Sequence, residues 1–105
     1  MGRAFKIFIF CMFVFSQNIF ASQKLNGEHI YLKYKCYACH GLKGERPALG
    51  ESKIIGGWSK DRVISALQGY KDGTYGRRLK KSMKAQAKEL DKSKIEAVAK
   101  YISNL

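Results

Sequence analysis

Chemistry is concentrated in the stretch Cys36-Tyr37-Ala38-Cys39-His40. Two thiols separated by two residues, with a histidine directly after the second, match the attachment pattern of a c-type haem. Each thiol can close a thioether on one vinyl group of a porphyrin, and a histidine one residue on can offer its imidazole to the iron. One pentapeptide thus offers two covalent anchors, Cys36 and Cys39, and one axial ligand, His40. A Cys-x-x-Cys pair also occurs as a redox dithiol, as half of a zinc site or as two small apolar side chains. A redox dithiol belongs to a β-α-β pattern, which the sequence does not show. Zinc and iron–sulfur sites usually take four suitable ligands, and only His29 remains to complete a zinc set.

The pentapeptide needs a compartment and a scaffold. Arg3 and Lys6 precede the apolar run Ile7 to Phe15, and the polar stretch Ser16-Gln17-Asn18 leads to Ala21 and Ser22. That order is a secretory signal peptide over residues 1–21, cleaved after Ala21 or within a residue or two of it. Its apolar run falls short of the ~20 residues that cross a bilayer, and Phe10 before Cys11 lacks the small residue of a lipoprotein site. Cleavage removes Cys11, Met1 and Met12, so the mature chain 22–105 keeps Cys36, Cys39 and a single methionine, Met83. No cysteine is then left for a structural disulfide. A domain of about 84 residues buries too little to be robust alone and calls for a staple. A tethered haem would be one.

Short helices should supply the scaffold. Gly27 to Lys35 reads as a first helix delivering Cys36, with Ile30 and Tyr34 on one face. Gly41 to Gly50 contains three glycines and the only proline, so it is a loop. One of its backbone carbonyls, Pro47 being a candidate, could accept the Nδ1 proton of His40 and orient the ring. After Gly56-Gly57 and Trp58, Ser59 caps a helix with apolar positions Val63, Ile64, Leu67 and Tyr70, ended by Asp72-Gly73. Thr74 to Ser82 has no periodicity and reads as a loop presenting Met83, with a brief helix from Lys84 to Leu90. Asp91 caps a last helix whose apolar face is Ile95, Val98, Ala99 and Ile102, with Tyr101 beside it. The expected fold is all-α.

The whole chain carries 20 basic and 8 acidic residues, a net +12. Loss of Arg3 and Lys6 leaves 18 against 8, or +10. Scattered lysines mostly solvate a surface. Arg77, Arg78, Lys80, Lys81 and Lys84, however, crowd around Met83, and such a field steers acidic partners. No nucleic-acid motif accompanies it.

Helix, Cys36-Tyr37-Ala38-Cys39-His40, glycine loop, helix with Gly69-Tyr70-Lys71-Asp72-Gly73, Met83, and a last helix ending Ala97-Val98-Ala99-Lys100-Tyr101-Ile102 together resemble class I cytochrome c. Within it the chain is most similar to the small monohaem bacterial carriers called cytochrome c-553, over essentially all of the mature length. The resemblance implies short helices wrapped around one covalently attached haem c, with the first and last helices crossing where Gly27 or its neighbours meet Tyr101. Gly27 to Cys36 is slightly longer than the usual spacing, which leaves either Tyr31 or Leu32 for the helix-contact position. Pro47 lies closer to His40 than in mitochondrial-type members.

Met83 follows as second axial ligand from elimination as well as resemblance. His40 is committed to one side by Cys39, and His29 precedes the anchors too closely to reach the other. A lone methionine is usually core filler, but Met83 sits among Lys80, Lys81, Ser82 and Lys84. The expected function is a soluble periplasmic one-electron carrier of a respiratory chain, not an enzyme and monomeric. Its expected partners are redox proteins with acidic faces, such as a membrane oxidase, reductase or dehydrogenase. After cleavage no membrane span would remain. A haem enzyme or a gas or redox sensor would need an open sixth iron position, and a thiol–disulfide oxidoreductase would need Cys36 and Cys39 free.

Overall fold

The computed structural model describes residues 25–48, 53–78 and 80–105. The leader 1–21 and the loop residues Leu49 and Gly50 lie outside them. Five helices follow in order: α1 (Gly27–Lys33), α2 (Cys36–His40), α3 (Lys60–Asp72), α4 (Lys80–Lys88) and α5 (Lys92–Ser103). Among the described residues there is no strand, so the fold is all-α as expected.

Local chemistry sets the helix starts. Asn26 Oδ1 accepts the backbone N–H groups of Glu28 and His29 at 2.9 and 3.3 Å and opens α1. Ser59 Oγ accepts the N–H of Arg62 at 3.2 Å at the start of α3. Asp91 Oδ1 accepts that of Lys94 at 2.9 Å at the start of α5. Gly73, at φ +77°, takes the left-handed position that stops α3.

The first helix is shorter than expected. Tyr34 caps α1, and Lys35 adopts a left-handed φ of 57° before the chain re-enters a helix at Cys36. This kink absorbs the long spacing between Gly27 and Cys36 and decides between the two contact candidates. Tyr31 is fully buried with its ring 5.5 Å from that of Tyr101, whereas Leu32 is exposed.

α1 packs across α5, and α3 packs on both α4 and α5. Gly27 permits the first crossing: a Cβ there would lie 2.7 Å from Tyr101 Cβ. The core joins Ile30 and Tyr31 of α1 to Val63 and Leu67 of α3, Ala87 of α4, Leu90, and the stripe Ile95, Val98, Ala99 and Ile102 of α5. Two polar ties lock the ends. Gly57 N–H donates to the Ile102 carbonyl at 3.0 Å, and Lys71 Nζ donates to the Leu90 carbonyl at 2.7 Å.

The segment expected as a loop up to Ser82 differs. Helix α4 already starts at Lys80, so Met83 stands inside a helix rather than at the tip of a loop. Lysine, alanine, glutamine and methionine are all good helix formers, and their propensity prevails where apolar periodicity is nearly absent.

Candidate haem site

Helix α2 consists of the pentapeptide itself, Cys36 to His40. Helical geometry places residues four apart on one face, so Cys36 and His40 project to the same side of one short element. The carbonyl of His40 accepts the N–H of Arg46 at 3.0 Å, and that of Gly41 accepts the N–H of Gly44 at 3.2 Å.

A cavity of about 650 Å³ opens beside this helix, within the ~300–1,000 Å³ range of ligand pockets. Cys36 and His40 stand on its wall with Tyr34, and Ile55 and Trp58 follow from the connecting segment. Val63, Leu67 and Tyr70 of α3, Met83 and Ala87 of α4, and Val98 and Ile102 of α5 complete the mainly apolar lining. Chain segments remote in sequence therefore bring His40 and Met83 to one enclosure. Cys39 is exposed and is not among the lining residues, whereas Cys36 is half-buried. His29 is exposed on α1 and does not line the cavity.

The residues fit a flat apolar group with a metal at its centre. His40 is 7% exposed, and its buried Nδ1 has no hydrogen-bond partner among the described residues. Burial lowers its pKa, which favours the neutral imidazole, the form that ligates metals. Among the described residues the expected bond from Nδ1 to a loop carbonyl is not made, Pro47 included. The loop is instead occupied with its own turns, including the N–H groups of Ile55 and Gly56 on the Gly44 carbonyl.

Burial also pushes the Cys36 thiol up to about 11, the reverse of the low-pKa thiolate that a dithiol oxidoreductase uses. Among the described residues no group of three or more His, Cys, Asp or Glu side chains could hold a metal ion, which leaves no complete zinc set of that kind.

Charge gathers on the outer part of the cavity. Arg77 and Lys80, both exposed, line it together with exposed Lys53. Lys81 and Lys84 lie on the same helix as Met83 without lining it. The Arg62 guanidinium sits 3.5 Å over the Trp58 ring. Sequence reasoning missed Ile55 and Gln86 as wall residues. Gln86 was detectable as the position one turn beyond Met83, whereas Ile55 sits in an irregular segment that gave no signal.

A family model described as Cytochrome c matches residues 25–105. Among curated proteins, cytochrome c-553 of Helicobacter pylori is 42% identical over 74 residues, which cover 70% of this chain and 74% of that one. Cytochrome c-553 of Nitratidesulfovibrio vulgaris is 32% identical over 85 residues, 81% of each chain. That of Desulfomicrobium norvegicum is 37% identical over 67 residues, covering 64% of this chain and 81% of the relative. The match begins just before α1 and runs through α5, so it includes every wall of the cavity. By fold and by sequence the chain belongs to the cytochrome c family, as a small class I member whose cofactor is covalently bound haem c with iron and whose task is electron transfer.

Proposed function

We propose that the mature chain 22–105 is a soluble periplasmic one-electron carrier, exported through a cleaved leader 1–21, with thioethers at Cys36 and Cys39 and axial ligation by His40 and Met83. The observation that carries this reading is the meeting of His40 from α2 and Met83 from α4 on the wall of one apolar cavity. Haem bound there supplies a ferrous/ferric couple, and Met/His ligation raises its potential.

The chain's own residues do the rest. His40 offers a buried imidazole whose neutral form is favoured by burial. Met83 offers a thioether, a sulfur without a proton, from a half-buried helical position. Val63, Leu67, Val98 and Ile102 turn apolar side chains to the enclosure, and an apolar surround disfavours the more highly charged oxidation state. A sixth position filled by Met83 leaves no room for substrate, which favours a carrier over a haem enzyme or gas sensor. Arg77 and Lys80 at the exposed edge would meet an acidic redox partner such as a membrane oxidase, reductase or dehydrogenase. Among the described residues no helix is long and apolar enough to cross a membrane.

Denaturing mass spectrometry of the native protein should give the polypeptide from about Ser22 plus one haem. Met83→Ala should lose the sulfur-to-iron charge-transfer band, lower the potential and admit carbon monoxide. A variant that stays low-spin at the parent's potential and refuses carbon monoxide makes another group, a lysine or His29, the ligand.

A further inference from the structure

Nδ1 of His40 has no hydrogen-bond partner among the described residues, while the backbone around His40 is held at several points. The hydroxyl of Tyr31, a residue with 0% exposure, donates to the Gly41 carbonyl at 2.5 Å. From the outer side, Arg46 donates its backbone N–H to the His40 carbonyl at 3.0 Å. Its Nη2 also donates to the carbonyls of Tyr37 and Ala38 at 3.2 and 3.3 Å. The Tyr37 carbonyl already accepts the capping N–H of Gly41 at 2.9 Å, so Arg46 is a second donor there, and the Ala38 and His40 carbonyls lie in the last turn of α2, where intrahelical donors run out.

We infer that Tyr31 and Arg46 are positioning residues that clamp the end of α2 from inside and outside and thereby fix the plane of the His40 imidazole. The inference rests on the proposed ligation by His40. Tyr31 is suited to the part because its ring is wedged in the α1/α5 crossing against Tyr101. Its hydroxyl is therefore a fixed point tied to the core, not a mobile surface donor. Arg46 adds a charge-assisted fork that closes the other side.

The test uses ferric holoprotein of the parent, Tyr31→Phe, Arg46→Lys and, as a destabilised control, Ile95→Val, which trims a core side chain outside the cavity lining. Mass spectrometry and the low-spin spectrum of the parent first check haem attachment and ligation, so failure of the underlying reading shows there and separately. The spread of the haem-methyl hyperfine shifts in proton NMR reports the orientation of the axial imidazole plane. Tyr31→Phe and Arg46→Lys should change that spread and shift the midpoint potential, while Ile95→Val lowers the melting temperature with neither altered. If both clamp variants keep the parent's spread and potential and only melt earlier, the clamp is a stability device and the inference is overturned.

Discussion

Replacing Gly27 by alanine tests the crossing that seats Tyr31 and frames the whole molecule. The added Cβ would fall 2.7 Å from Tyr101 Cβ and against the carbonyl oxygen of Ala97. Carbon atoms in contact sit ~3.5–4.0 Å apart, so α1 and α5 have to separate by about 1 Å. Neither obstacle can swing aside, since one is backbone and the other a Cβ held by it. Overpacking of this kind costs ~1–3 kcal/mol. Alanine's better helix propensity offsets at most ~1 kcal/mol of that, and less at the first position of a helix. The net loss is about 1–2 kcal/mol, which in a domain of this size lowers the melting temperature by roughly 5–15 °C. Thermal denaturation of the ferric protein, followed by far-ultraviolet circular dichroism, measures it. The haem spectrum at room temperature should stay that of the parent. A melting temperature equal to or above the parent's would refute close approach at Gly27 as the determinant of the crossing.

Asp91→Ala removes the acceptor for the Lys94 N–H and should cost ~1 kcal/mol; Asp91→Asn should be near neutral in the same melt, and equal losses would show that charge rather than capping matters. Burial chiefly, with smaller contributions from nearby groups, raises the Tyr31 phenol from 10.0 to about 12. Below pH 10 it is protonated in both folded and unfolded chains, but between 10 and 12 the unfolded chain loses its proton first. Stability from Tyr31 is therefore lost as pH rises through that window, and denaturant melts of Tyr31→Phe should fall less steeply there; identical slopes would contradict the shift. Electron transfer from a donor with an acidic face, measured by stopped flow, should slow as salt shortens the Debye length from ~10 Å at 0.1 M to ~3 Å at 1 M, and should slow further in Arg77→Glu. Indifference to both would mean that the basic edge only solubilises.

Much of this was readable from residue types alone. Asp91 and Ser59 announce helices because their oxygens take backbone N–H groups that nothing else can satisfy, and the stripe Ile95, Val98, Ala99 and Ile102 is fully buried. The attachment pentapeptide was legible because its chemistry is confined to five consecutive positions. Less local features were not. Nothing in Tyr34-Lys35 signals a left-handed residue, which is rare outside glycine and asparagine, so the sequence alone extends α1 past its end at Lys33. The helical setting of Met83 is hidden in the sequence because Lys80, Lys81, Ser82 and Lys84 mask the i, i+4 pair Met83 and Ala87 of α4. The choice of Tyr31 over Leu32 shows in its packing on Tyr101, far along the chain, which no local pattern encodes.

Because α1, near one end of the described chain, packs across α5 at the other, that crossing can form only after a long loop has closed. During synthesis the pentapeptide emerges roughly half the chain ahead of Tyr101, Ile102 and the rest of its roof. In that interval both thiols stand on an unclosed polypeptide, whereas in the finished structure Cys36 is half enclosed. The topology thus sets a chronology, in which Cys36 is most open to modification before the last helix arrives.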